Sequence, residues 1–167
     1  MDSATAKTVA DFLLADFDGE IPTTIRVLEA VPAGRLDYRP DSTGKTGLGL
    51  LRHLALEDEW LLNSIANGAF AAPPDDGDGC GVSNPAEAVA RYREKVPAAL
   101  DRVRAMSPEA LAGPINFFNM MNAPAVSYIS LALKHSVHHR GQLSAYLRAM
   151  GGKVPGIYGP SADTQSQ

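Results

Sequence analysis

Cysteine is almost missing from this chain: Cys80 is the single one among 167 residues, so no disulfide can close within it. Cys80 sits in a Gly/Asp-rich stretch, which predicts an exposed loop thiol rather than a nucleophile. A surplus of positive charge is missing too. Fifteen Lys and Arg face nineteen Asp and Glu, a formal net charge of −4, and no basic stripe is visible to gather phosphates. Nucleic acid is therefore not an expected partner. No stretch approaches the ~20 apolar residues that span a bilayer. The opening Met1-Asp2-Ser3-Ala4-Thr5 lacks the basic segment and apolar run of an export signal. A soluble cytoplasmic protein without a membrane partner is the expectation. There is no internal repeat and no convincing strand pattern.

What is present is helical. A hydrophobic fraction of 45% in 167 residues suits one domain, 1–167, with a real core. Four segments carry the helical period, separated by Pro, Gly and Asn. The first runs from about Ser3 to Val31, with Val9, Phe12, Leu13, Phe17, Ile21, Thr24 and Leu28 placed on one side and a kink expected at Pro22. The second runs from Thr46 to Asn67, with Leu50, Leu54, Leu61 and Ile65 as its apolar line and Gly68 as its stop. Residues 69–83, rich in Pro, Gly and Asp, predict a mobile surface loop. Asn84-Pro85-Ala86-Glu87 then supplies a cap, a first-turn proline and an N3 glutamate for a third helix ending near Met106. Ser107-Pro108-Glu109 opens a short helical turn, and 113–123 is loop-like with room for two short extended pieces around Phe117 and Phe118. The fourth helix runs from Pro124 to Met150. Four long helices with irregular loops predict an all-α, antiparallel four-helix bundle.

Three of the four histidines crowd into Lys134-His135-Ser136-Val137-His138-His139-Arg140. Residues four apart on a helix share a face to within about 40°. His135 and His139 can thus offer two imidazole nitrogens to one ion, a ligand type suited to zinc, nickel and related metals. The apolar side of this helix is marked by Ile129, Leu133, Leu143, Leu147 and Met150. His139 lies at its edge, His135 somewhat further round, and His138 nearly opposite. The remaining histidine, His53, flanks the Leu50–Leu54–Leu61 stripe, with Glu57 one turn later and Trp60 on the same flank. Flanking positions on neighbouring helices can converge, and three imidazoles would leave a coordination position open. Spacing alone leaves the alternative standing, in which His135 and His139 make polar contacts and His53 hydrogen-bonds in the core.

The segment His135-Ser136-Val137-His138-His139-Arg140-Gly141-Gln142-Leu143-Ser144-Ala145-Tyr146-Leu147-Arg148-Ala149-Met150-Gly151 resembles the last-helix signature of the DinB-like family. Val31-Pro32 with Arg35-Leu36-Asp37-Tyr38-Arg39-Pro40 is similar to the family's link between its first two helices. Leu51-Arg52-His53-Leu54-Ala55 resembles its first metal-ligand segment, and Val154-Pro155-Gly156-Ile157-Tyr158-Gly159-Pro160-Ser161 its close. The resemblance implies a four-helix bundle, often a homodimer, with a divalent metal, zinc or nickel, on His53, His135 and His139. It also implies a choice of activities, since some branches use bacillithiol, glutathione or mycothiol.

The leading expectation is a metal-dependent thiol S-transferase acting on a small-molecule substrate, in which the ion lowers the pKa of a low-molecular-weight thiol. The alternatives are a metal-dependent hydrolase and a non-catalytic metal-binding stress-response module. Glu57 is the candidate catalytic residue, placed to orient an imidazole or shuttle a proton. Tyr128 and Tyr146 are expected to pack rather than line a pocket. Arg140 and Glu20 each interrupt an apolar stripe and are expected to pair across the core, because a lone buried charge is costly; the alternative is that Arg140 holds an anionic substrate. Gly141 is expected to allow close helix packing.

Overall fold

The computed structural model describes residues 1–165 and contains five α-helices and one short β-ribbon. Helix α1 spans Ser3–Glu29, started by the Asp2 carboxylate, which accepts from the Thr5 N–H at 2.9 Å. It runs on through Pro22, whose side chain is exposed, so the carbonyl that proline leaves without a donor can face water. Helix α2, Gly47–Asn67, is capped by Thr46 and stops at Gly68, which takes the left-handed conformation with φ of 69°. Helix α3, Pro85–Arg104, begins at Asn84 as its sequence predicts. The Glu87 carboxylate there reaches back to the Ser83 N–H at 2.7 Å. Helix α4 is the short turn Pro108–Ala112, and α5 spans Ala125–Leu147.

Between α4 and α5, β1 (Pro114–Phe117) and β2 (Met121–Pro124) pair antiparallel with Ile115 opposite Ala123. The Tyr128 hydroxyl donates to the Ile115 carbonyl at 2.8 Å and so fixes this ribbon to α5. Tyr146 packs edge-on against Tyr38. Both tyrosines are packing residues.

The bundle consists of α1, α2, α3 and α5, and its circular order is α1–α3–α2–α5. Specific pairs give the directions. Glu29 meets Arg93 and Asp18 meets Arg104, so α1 and α3 are antiparallel. Glu59 meets Arg91 and Asn67 meets Arg102, so α2 and α3 run parallel. Glu20 meets Arg140 near the middle of α1 and α5, and Gly152 approaches Ala30 beyond their ends; these two also run parallel. The expected bundle is therefore present with an up-down-down-up course. The parallel course of α2 and α3 explains the long connection between them, because consecutive parallel helices need a return segment about as long as the bundle.

That return, residues 68–84, is held to α2. Arg52, which is buried, donates to the carbonyl of Val82 at 2.8 Å and to the Asp78 carboxylate at 3.0 Å. Cys80 sits in this tethered segment as a free, half-buried thiol.

The core is built largely from the stripes the sequence marks: Leu50, Leu54, Leu61 and Ile65 on α2, and Ile129, Leu133, Leu143, Leu147 and Met150 from α5 onward are buried. Two expectations fail. Phe12 is 72% exposed, because the inner side of α1 is carried by Ala6, Ala10, Leu14 and Phe17. Small alanines mark that face weakly, and Phe12 lies about 140° from Phe17 at ~100° per residue. Gly141 is exposed, and a Cβ there would meet nothing within 4 Å, so it serves no helix contact. Arg140, 1% exposed, meets Glu20 and Thr24 through one nitrogen and the Tyr158 hydroxyl at 2.6 Å through the other. Among the described residues no helix is long and apolar enough to cross a membrane.

Candidate metal centre

Antiparallel packing of α2 and α5 brings the start of α2 against the middle of α5. His53 then faces His135 and His139, which sit one turn apart. Ring centroids are separated by 5.0 Å for His53–His135, 4.3 Å for His53–His139 and 4.5 Å for His135–His139. One ligand nitrogen from each ring lies within 4.8 Å of the other two. His138 is exposed and stays outside the three-histidine group, although its ring packs edge-on to that of His139 at 4.7 Å rather than pointing to the opposite side.

Each ring turns its Nδ1 toward a side-chain oxygen. His139 Nδ1–H donates to Gln142 Oε1 at 3.0 Å, His53 Nδ1 stands 3.8 Å from Glu57 Oε1, and His135 Nδ1 stands 4.0 Å from Asp58 Oδ1. Only the first is a formed hydrogen bond. With Nδ1 so placed, Nε2 is the nitrogen each ring keeps for a shared ligand, the arrangement in which a histidine's far N–H is held by an acceptor while its other nitrogen coordinates.

Protonation agrees with that use. Burial, reinforced by the imidazoles of His139 and His135, pushes His53 down to about 3. Burial also lowers His139, against the opposing effect of its bond to Gln142. Both rings are thus neutral at pH 7, with lone pairs available and no proton to expel. Burial raises the carboxyl of Glu57. Glu57 and Asp58 place two carboxyl groups beside the three imidazoles, 3.8 Å from His53 Nδ1 and 4.0 Å from His135 Nδ1. Nitrogens sharing a zinc-sized ion at about 2.1 Å each stand roughly 3.4 Å apart in a tetrahedral shell. Small side-chain rotations bring the cluster to that spacing. The residues present fit a divalent ion.

The rim is mixed. Lys45 pairs with Asp76 at 2.6 Å, and both act on the charge of His53. Two turns along α2, about 10 Å from His53 by helical rise, Trp60 packs with Phe70 and Phe118 at centroid distances of 5.7 and 6.5 Å.

The sequence profile of the DinB family matches residues 6–166, nearly the whole chain. The chain belongs to the DinB family. Among curated proteins it is 26% identical over 155 residues to YrdA, an uncharacterized protein of Bacillus subtilis, covering 92% of this chain and 90% of that one. Its DinB fold recurs in a DinB-like protein from Bacillus cereus, with a TM-score of 0.72, 20% identity, and coverage of 87% of this chain and 95% of the other. It recurs in YfiT from Bacillus subtilis, described as a probable metal-dependent hydrolase with an unusual four-helix bundle topology. There the TM-score is 0.68, identity 17%, and coverage 86% and 89%. A mycothiol-dependent maleylpyruvate isomerase shares it with a TM-score of 0.60 and 15% identity, over 86% of this chain and 61% of the isomerase. At such identities these structures carry the DinB fold and nothing further.

The sequence singled out His53, His135, His139 and Glu57, and the structure brings all four together. It missed Asp58 and Gln142. Gln142 stands three residues after His139, a spacing that places the two side by side on a helix. Asp58 carried no such signal, because its neighbour across the core, Tyr92, comes from α3.

Proposed function

We propose that this chain is a metal-dependent enzyme that holds one zinc or nickel ion on His53, His135 and His139 and uses it on a low-molecular-weight thiol. The observation that carries the reading is the meeting of three imidazoles from two helices, each with its Nδ1 turned to an oxygen. Three protein ligands leave a coordination position for a small molecule. When bound, a divalent ion supplies a lowered pKa to a thiol or water that reaches that position.

The chain's own residues supply the rest. Glu57 is half-buried beside His53, and burial raises its carboxyl above the usual carboxylate range, which suits it to accept and return a proton at Oε1. Asp76, from the tethered 68–84 segment and paired with Lys45, adds a carboxylate whose charge is felt at His53. The mycothiol dependence of the isomerase that shares the fold supports the thiol reading. Hydrolysis is the second reading, favoured by the description of YfiT and by the same Glu57, which serves equally to take a proton from water. The family's frequent pairing into homodimers is part of the proposal.

Elemental analysis of the purified protein is expected to find one zinc or nickel per chain, and His53→Ala to lose it. The loaded protein is then incubated with bacillithiol, mycothiol or glutathione and a generic electrophile. Metal-dependent loss of free thiol, slowed about 100-fold or more in Glu57→Gln, supports thiol transfer. Hydrolysis of simple esters or amides without thiol replaces it with the second reading. Metal without turnover of either kind leaves a binding module, and a chain that takes up no metal overturns the whole reading.

A further inference from the structure

Asp58 is fully buried, and one of its two oxygens has no partner. The Tyr92 hydroxyl, from α3, donates to Oδ2 at 2.8 Å, while Oδ1 makes no hydrogen bond. His135 Nδ1 is likewise buried and without a hydrogen bond. These two orphaned atoms stand 4.0 Å apart. A buried carboxylate oxygen and a buried ring nitrogen each cost free energy when left without a partner. Here one rotation of the His135 ring, closing about 1 Å, would satisfy both.

We infer that Asp58 is a positioning residue of the metal centre: it holds His135 as the Nδ1–H tautomer, so that Nε2 faces the ion, and Tyr92 holds Asp58. The tautomer follows from chemistry. A carboxylate can only accept, so the nitrogen facing it must carry the proton, and the lone pair is left on the other side of the ring. A carboxylate also strengthens the imidazole as a donor by countering the charge it shares with the ion. His139 receives the corresponding service from the neutral Gln142, and His53 faces the half-buried Glu57. Asp58 differs from both in being sealed from water. Its charge therefore acts through a medium of low dielectric and is not screened by salt. Three helices contribute to the chain Tyr92–Asp58–His135, which ties the α3 side of the bundle to a site whose other parts come from α2 and α5.

The inference rests on the proposed metal site, and the test separates the two. Ring nitrogens of uniformly 15N-labelled, metal-free protein are read by long-range proton–nitrogen correlation. His135 is expected to be protonated at Nδ1 in the wild type and at Nε2 in Asp58→Asn, whose amide can donate to Nδ1 and keep accepting from Tyr92. A wild-type His135 protonated at Nε2 overturns the assignment, whether or not metal binds. Zinc affinity is then measured by competition with a chromogenic chelator. Asp58→Asn is expected to bind about 10- to 100-fold more weakly, and Tyr92→Phe to show a smaller loss, because the carboxylate remains but is no longer held. Thermal denaturation of the same metal-free variants separates packing from positioning: a role in packing alone would move Tm and leave affinity and tautomer unchanged. Unchanged affinity in Asp58→Asn overturns the inference while the metal site stands. Should Asp58→Asn fail to fold, the wild-type spectrum and Tyr92→Phe still decide.

Discussion

His53 stays uncharged in the folded chain far below the pH at which free histidine protonates. Its folded pKa of about 3 lies under the ordinary 6.5, so between those values the unfolded chain binds more protons than the native one. Stability of the metal-free protein is therefore fully present above pH 6.5 and lost as pH falls through that window. Denaturant titrations at pH 7 and pH 4.5 are expected to differ by on the order of 2 kcal/mol from this ring, with the difference removed in His53→Gln. Arg140 tells the opposite story about charge. It is buried with Glu20, and deleting one member of such a pair leaves the other uncompensated. Arg140→Ala is expected to cost about 3 kcal/mol in urea denaturation, since Glu20 retains some contact with solvent. The same variant releases the Tyr158 hydroxyl, while the tail stays tied through Asp163 to Arg148. Residue types of this kind were legible in the sequence: a charge interrupting an apolar stripe, and histidines one turn apart, are local signals. Asp58 was not, since nothing in Glu57-Asp58-Glu59 says which of three acids is sealed beneath Tyr92.

Helices α1 and α5 each carry a glycine with open space around it. A Cβ on Gly19 or Gly141 would meet nothing within 4 Å, whereas one on Gly152 would stand 2.9 Å from the Ala30 carbonyl. Gly19→Ala and Gly141→Ala are each expected to stabilise the protein by about 0.5–1 kcal/mol, through lower unfolded-chain entropy and better helix propensity. Gly152→Ala is expected to destabilise it, because a backbone oxygen cannot step aside cheaply; thermal melts of the three variants check the set. Helix boundaries were the most readable elements. Thr46, Asn84, Ser107 and Gly68 act as their residue types predict. The inner face of α1 was not readable, since Ala6 and Ala10 hold it with side chains too small to register as a stripe and Phe12 drew the eye to the wrong side. The ribbon Pro114–Pro124 was legible as two short extended pieces around Phe117 and Phe118, but not as a paired hairpin, because four-residue strands are too short to show an alternating pattern.

Across the whole molecule, the bundle was legible from four apolar periods, and the course of the chain through it was not. Loop length alone does not distinguish an antiparallel neighbour reached loosely from a parallel one reached by a long return. Ionic pairs such as Glu59–Arg91 and Glu29–Arg93, which set the directions, join residues far apart in sequence. If an ion binds only the folded bundle, its removal lowers stability by mass action, by about 4 kcal/mol at a thousandfold excess over Kd. A chelator is therefore expected to lower the Tm of the wild type by several degrees, scaling with free metal, and to leave His53→Ala unmoved. The up-down-down-up course also sets an order of assembly. His53 belongs to the second helix and its two companions to the last, with the whole of α3 and the ribbon made in between. A chain emerging from the ribosome can join α2 to α3 early, yet it cannot capture an ion until α5 has been synthesised and docked. If these three residues hold an ion, loading has to wait for the last helix to dock, and the chain passes first through a metal-free state.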